Sequence, residues 1–560
     1  MINKITKITV AWPAVLIFIL SLGIAAQAQT ATPTPIPDEP DPSQPTYNTP
    51  ERPIPDMSRV GVEAGEELPL TLDQAIELAL KNNNDIDISR NDSESSGLDL
   101  RGTRGVYDPL FSSENYYERS ATPTASSIGG AVNGSVVQSR FYNSAGVSGY
   151  SPKAGGSYSA TFNASRTTTS NTNSFLNPQF PSALTLNYTQ PLWRNFRIDV
   201  QRRNIMVAKK NIAITDSQLK LKTFDVVNNV EQAYWDLVYA LKNVQIQLDT
   251  LKQAHDQLDS NKRLASKGVL APIEIVAAQA QISTYEQNVY AAKEAVTRAE
   301  NTLKTILLPD RNASEWSKPL IPTTPADLEV PQIGLEIAKN EAFKNRPEIE
   351  QFDLQQDINK IDQKYYKNQT KPQIDLVGTY TSQGLAGTET AAAINPTTGL
   401  SRVPPNLIGG YGNSLGNLLQ QDYPTYHAGL VITLPFGNRV AKANYGKTLV
   451  DAKRLENQRA QAEQTIEGDV RNALQALRSA ESRLDAATQG RLAAEELYSS
   501  ETRQFRAGTS TFYLVAQRQN ELAAARGLEL QARTALNKAI ATFNRAIGTI
   551  LSVHNVTVVK

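Results

Sequence analysis

One segment of this chain is written twice, and that duplication is the strongest limit on what the chain can fold into. "LTLDQAIELALKNNNDI" (70–86) and "IGLEIAKNEAFKNRPEI" (333–349) match without a gap at an offset of 263 residues. They share Leu72/Leu335, Ala75/Ala338, Ala79/Ala342, Lys81/Lys344, Asn82/Asn345 and Ile86/Ile349. The offset persists to "YDPLFSSENYY" (107–117) against "TKPQIDLVGTY" (370–380), then falls to 244 where "LNYTQPL" (186–192) meets "LVITLPF" (430–436). The first copy is therefore 19 residues longer between these matches, in Ser/Gly/Asn-rich sequence (120–180) that reads as turns and loop. Farther on, "KGVLAPIEIVAAQ" (267–279) aligns with "AGTSTFYLVAQRQ" (507–519) at an offset of 240.

Each copy follows one order: a short helix, a second helical segment, two strands with a long polar loop, a very long helix, a Gly turn and another long helix. From Arg197 to Lys267 there is neither Pro nor Gly, room for a helix about 100 Å long at 1.5 Å per residue. Val230, Ala233, Leu237, Leu241, Val244, Leu248, Leu251, His255 and Leu258 settle into alternating steps of four and three, a coiled-coil seam. The second copy repeats it with Ile466, Val470, Ala473, Leu477, Ala480, Leu484 and Ala487. Strands are expected over 157–167, 183–192, 372–382 and 426–436 from their alternation, near the ~9–11 residues that cross a bilayer as tilted strands.

The N-terminus sets the compartment. Lys4 and Lys7 precede the apolar run "VAWPAVLIFILSLGIAA", and "AQA" (26–28) supplies small residues for cleavage after Ala28. Residues 1–28 read as a secretory signal peptide. No later stretch has the ~20 apolar residues of a membrane helix, so entry into a membrane would require a β-barrel. Four strands cannot close one, since single-chain barrels start at about eight. Three copies would supply twelve.

The expected organisation is a signal peptide (1–28), a Pro-rich disordered spacer (29–67), a first repeat (68–308), a Pro-rich connector (309–332), a second repeat (333–551) and a C-terminal tail (552–560). The fold class is mainly α with β.

Bulk properties exclude several functions. Basic and acidic residues number 56 each, which leaves no electrostatic footprint for nucleic acid. The absence of cysteine removes disulfides, thiolate metal sites and thiol nucleophiles. His255, His427 and His554 fall in a helix seam, a strand and the tail without ligand-type spacing, and read as isolated structural or surface residues. "GGYGNSLG" (409–416) lacks dinucleotide-binding spacing and reads as an exposed loop. No enzyme chemistry and no cofactor are expected.

With the doubled opening segment, the strand exits "TQPLWRN" and "ITLPFGNR", and the paired turns in order and in duplicate, the chain resembles the TolC-like outer membrane efflux proteins over nearly all of 68–551. That resemblance implies a homotrimer with a 12-stranded barrel in outer membrane lipid, four strands per chain, continued by a periplasmic α-helical barrel. It implies a passive exit duct of a tripartite efflux pump or type I secretion system, served by a periplasmic adaptor and an inner-membrane pump or ABC exporter. A periplasmic coiled-coil scaffold without a pore is the alternative. The resemblance places adaptor-docking turns at Gly268, Val269, Leu270 and Ala271 and at Gly508, Thr509, Ser510 and Thr511. A bland role, chain reversal alone, also suits those glycines. It places an entrance constriction at Glu274, Phe505, Leu514 and Gln517. Leu514 and Gln517 replace acids that the family often carries there, so closure by apolar packing at Leu514 and Phe505 is expected. Tyr116, Tyr117, Trp193 and Phe196 flank strands as candidates for an aromatic girdle; for Trp193 and Phe196, packing beneath the barrel is the other expectation.

Overall fold

The computed structural model describes residues 58–557, apart from Ala64, Ser126 and Val132. The expected signal peptide and most of the expected spacer lie outside the described residues.

The duplication is visible helix by helix. Thr71 caps α1 (Leu72–Asn82) reciprocally: its hydroxyl accepts from the Gln74 amide while the Gln74 side chain accepts from the Thr71 amide. Asn83 then caps α2 (Asn84–Arg104). In the second copy α5 (Leu335–Asn345) and α6 (Pro347–Gln369) repeat the pair, with Pro347 at the first helical position. The long helices α3 (Val200–Ser266) and α8 (Arg439–Arg506) have 67 and 68 residues, and their partners α4 (Ile273–Leu307) and α9 (Phe512–Ala546) have 35 each. A helix of about 100 Å cannot bury its stripe against a partner half its length. The lower half of α3 packs on α4 and α9, and its upper half on α2 and α6; α8 likewise packs on α9 below and α6 above.

The seam residues are buried as their spacing requires: Val230, Leu237 and Leu251 in the first copy, Val470, Leu477 and Ala480 in the second. Tyr234 and Trp235 fill the thickest part of the first core, the Tyr234 hydroxyl donating to the Leu70 carbonyl at 3.0 Å.

The connector is structured. Its short strand β7 (Leu320–Pro322) pairs in parallel with β1 (Leu68–Leu70), returning the chain to the start of the first repeat. Lys304 and Glu300 form a buried ion pair at 2.6 Å; Lys304 Nζ donates to the Trp316 carbonyl, and Arg59 pairs with the same glutamate. Glu66 pairs with Lys318 at 2.8 Å. The described end of the expected spacer, from residue 58, is thus held by named contacts rather than free, because Arg59 answers a buried carboxylate.

The four expected strands all form, in one antiparallel sheet. The sheet is wider than expected. The first repeat contributes β2 (Leu110–Pro123), β3 (Ser135–Tyr150), β4 (Ser157–Thr169) and β6 (Ser182–Pro191). The second contributes β8 (Gln373–Gly384) and β10 (Tyr423–Thr433), and the spatial order is β10-β8-β6-β4-β3-β2. Four strands per chain becomes six: β2 and β3 were not expected, and the Ser/Gly/Asn-rich stretch read as turns and loop holds β3 beside the expected β4. Small polar residues suppressed the hydrophobic signal there, because a strand whose polar face meets water needs only weakly apolar residues on the other. Two short strands, β5 (Leu176–Gln179) and β9 (Gly387–Glu389), pair over the outer end of the sheet, where α7 (Tyr411–Gln420) packs on β6 and β8. "GGYGNSLG", expected as loop, therefore opens a helix; Ser182 and Ser414 hydroxyls meet at 2.7 Å beneath it.

The last helix among the described residues is α10 (Ile550–Val553), and His554 follows it. Its ring lies 3.0 Å from Asp73 and 3.1 Å from the buried Glu231. His554 is therefore not isolated: it clamps the tail to α1 and α3. Burial of the ring pulls its pKa down, but the hydrogen bonds and charges of Glu231 and Asp73 outweigh this and raise it above the ordinary histidine value. A raised folded-state pKa stabilises the protein fully below the unfolded value and loses that contribution as pH rises through the folded one. His554→Ala should lower thermal stability by about 1 kcal/mol in mildly acid buffer and by progressively less as pH rises. Melting curves of both proteins between pH 5 and 9 check this; a gap that widens with pH would contradict it.

Candidate channel wall and entrance

Register divides the sheet into two chemically distinct faces. One row runs across all six long strands as Phe111–Val147–Ala160–Leu186–Tyr380–Tyr426. The adjacent row, one residue along each strand, runs Ser112–Gly146–Thr161–Thr185–Thr381–Thr425. Because side chains alternate with period two, these rows sit on opposite faces. Leu184, Leu376, Leu430, Phe162 and Ala145 share the first face; Asn187, Thr379, Asn163, Ser144 and Asp375 share the second. An apolar face opposite a hydroxyl- and amide-rich face is the pattern of a wall between lipid and water. Leu430, Ile432 and Tyr426 are well exposed on the apolar side, with nothing in the chain to cover them.

The expected girdle residues separate under the same rule. Tyr116 and Tyr117 are neighbours, so they cannot share a face. Tyr117 stacks on Phe141 (centroids 4.8 Å apart) on the apolar face, while Tyr116 stacks on Tyr142 (4.9 Å) on the polar face. Trp193 and Phe196 lie exposed where β6 hands over to α3. The second repeat exposes Leu434 and Phe436 at the matching handover from β10 to α8. Sequence reasoning passed over Phe436, although its motif partner "TQPLWRN" was in hand.

At the far end of the long helices both turns close in the same way. The Gly268 amide donates to Ala265 and the Val269 amide to Leu264; the Gly508 amide donates to Phe505 and the Thr509 amide to Gln504. This paired bonding satisfies the last carbonyls of each helix and needs a left-handed residue after the cap. Gly268 and Gly508 supply it, with φ of 70° and 77°. A Cβ at either would meet nothing within 4 Å, so conformation rather than space selects glycine. Beyond the turns Val269, Ile273 and Tyr513 stand exposed, and Leu514 is partly so.

The constriction candidates occupy different environments. Phe505 packs into the cluster of Leu251, Ala254, Leu258, Tyr285 and Phe512, inside the chain. Glu274 is half-buried at the start of α4. Leu514 and Gln517 are exposed, and the Gln517 amide donates to Glu521 at 3.1 Å. The structure adds a charged group that sequence reasoning missed. Arg518 pairs with Glu521 at 2.6 Å, and the Ser510 hydroxyl donates to Glu501. Arg518 and Gln517 hold the Glu521 carboxyl below its ordinary range. The helical spacing of Arg518 and Glu521 was the available signal.

Among the described residues no cluster of His, Asp and Glu could hold a metal ion, and no helix is long and apolar enough to cross a membrane.

Gly268→Ala and Gly508→Ala should each cost about 1–2 kcal/mol, the usual penalty for a Cβ in left-handed backbone, while β-sheet content stays unchanged. Chemical denaturation followed by circular dichroism measures both; a neutral substitution would show that the turn relaxes to another conformation.

The fold matches that of known channels. The OprN outer-membrane channel superposes over 89% of this chain and 98% of its own, with a TM-score of 0.59 and 15% identity. The CmeC outer membrane channel of Campylobacter jejuni does so over 90% and 94%, with 0.59 and 15%. The open state of the MtrE outer membrane channel of Neisseria gonorrhoeae does so over 86% and 89%, with 0.57 and 16%. No curated protein sequence matches. The sequence profile described as Outer membrane efflux protein matches residues 156–307 and 339–549. With well over half its length in that match, a two-faced sheet at one end and paired long helices at the other, the chain belongs to the outer membrane efflux protein family.

Proposed function

We propose that three copies of this outer membrane exit duct close side by side into one continuous tube. The observation that carries the proposal is a shared pair of open edges. In the sheet the end strands are β2 and β10, both exposed along nearly their whole length. In the helical region α8 packs only on α6 and α9 among the long helices, while α3 packs on four neighbours. Of α3's 67 residues twenty are buried, against six of α8's 68. Leu449, Val450, Leu492 and Leu497 on α8 and Tyr290 on α4 are left uncovered. The first repeat ends the protomer on one side and the second repeat on the other, so each copy offers two different edges. Such edges build a ring when the rotation closes.

The tube would conduct cargo passively, in line with a family of channels. The exposed apolar tips Val269, Ile273, Tyr513 and Leu514 would be the surface on which a periplasmic adaptor docks, with an inner-membrane pump or exporter behind it. Glu274, Leu514 and Gln517, with the Glu501, Arg518 and Glu521 group, would line the narrow entrance. The domain plan proposed for the mature chain is a tether, two repeats joined by the 309–332 connector, and a tail clamped by His554.

The test is fractionation followed by gel analysis. The protein should need detergent for extraction from outer membranes and run as a trimer until heated. Val450→Asp, which places a charge on the uncovered α8 face, should leave a folded chain while the trimer band falls at least tenfold. Recovery as a soluble periplasmic monomer would overturn the proposal.

A further inference from the structure

The first repeat carries four long strands where the second carries two, although the pairs α1/α5, α2/α6, α3/α8 and α4/α9 match in order and nearly in length. Adding strands in a pair preserves direction: β2 leaves the helices, β6 returns to them, and the polarity needed to start α3 is kept. The added pair is also integrated. β3 and β4 hold continuous antiparallel register with each other and with β2 and β6, over thirteen, fourteen and eight residue pairs respectively. They obey the same two-faced rule as the rest of the sheet: Ala145, Val147, Ala160 and Phe162 lie on the apolar face, with Ser144, Gly146, Ser159 and Thr161 on the polar one.

We propose that each copy inserts six strands into the membrane wall, so that the ring of three is an eighteen-stranded barrel rather than a twelve-stranded one. The proposal rests on the ring described above and names the surface that closes it: β10 of one copy pairs with β2 of the next. An even number of strands leaves these edges running in opposite directions, so the closing pair is antiparallel like every other pair among the long strands. An unclosed edge would leave a row of amides and carbonyls unpaired in lipid, which hydrocarbon does not tolerate. Barrel diameter grows about linearly with strand number, which makes the mouth about 1.5 times as wide as a twelve-stranded ring. The helices do not widen with it: α4, α3, α9 and α8 give four per copy in cross-section. The barrel then imposes no limit on cargo that the helical entrance has already passed.

The chain contains no cysteine, so single cysteines in the full-length protein report without background. In outer membranes, a water-soluble, membrane-impermeant maleimide should label Ser144→Cys and Ser159→Cys at least tenfold faster than Ala145→Cys and Ala160→Cys. Glu114→Cys on β2, combined in turn with Thr425→Cys, His427→Cys or Gly429→Cys on β10, should give a covalent trimer in at least one register on oxidation. Equal labelling of both faces of β3 and β4 would place them outside the wall and overturn the proposal. So would a trimer in which β10 links to Asn163→Cys on β4 and never to β2; the ring itself would survive that result. A chain that remains monomeric in every pairing and on unheated gels would overturn the ring and the barrel together.

Discussion

A sheet edge in lipid has nowhere to send its hydrogen bonds, and most of this protein's architecture follows from that. Along the open edges of β2 and β10 every second residue turns outward backbone groups that water would otherwise satisfy, the others being bonded to β3 and β8. In the proposed barrel both strands lie in hydrocarbon, where the cost of an unpaired group is several kcal/mol. One copy cannot bend six strands into a closed wall, so in the proposed ring the two edges meet on neighbouring copies. The helices carry the same requirement in apolar rather than polar terms. α8 keeps most of its long surface uncovered while α3 is packed from four sides, and a seam of that length is worth burying only against another chain.

Duplication is what makes the two edges compatible. Both repeats bring their long helix out of the sheet through an exposed apolar knee, Leu192 and Trp193 in one and Leu434 and Phe436 in the other. Both turn back at a glycine held left-handed by the same pair of backbone bonds. Two copies of one unit placed side by side present matching outlines left and right, and lateral addition of a further chain repeats a contact the chain already makes within itself between α3 and α9. The repeats diverge where that logic is indifferent. Caps differ, with Thr71 bonding α1 where Gly334 makes no side-chain bond at α5. The tail and the start of the connector are tied to the first repeat through Lys304, Glu300, Arg59 and His554, while the connector's end is tied to the second, where Asn537 donates to the Ala326 carbonyl and Arg533 pairs with Asp327.

Much of the scaffold was legible before any coordinates. The heptad-like steps from Val230 to Leu258 located a buried stripe because helical periodicity is a local property. Four strands were legible because their alternation was strong enough to stand above the background. β3 escaped, with β2, because "SVVQSRFYNSAGVSGY" sets Ser139 and Asn143 among Phe141, Ala145 and Val147 on one face and Tyr142 among Ser144, Gly146 and Ser148 on the other, and a low-contrast alternation resembles loop. Tyr116 and Tyr117 were joined in one girdle by their nearness in sequence, and pleating divided them. The Arg518–Glu521 and Ser510–Glu501 contacts were obscured for another reason. The expectation followed the position where relatives place acids, while here the acids stand elsewhere on the same turn of structure.

The sequence by itself determined the tandem plan, the length and burial stripe of the long helices, and the glycines that reverse them. Each of these depends on residues close along the chain or on a repeat that can be laid over itself. Only the tertiary structure decided how many long strands the sheet holds, which side chains share a face, and which helices are left without partners. Those depend on hydrogen-bond register and on packing between segments far apart in the chain, and weakly apolar strands carry too little local signal to announce either.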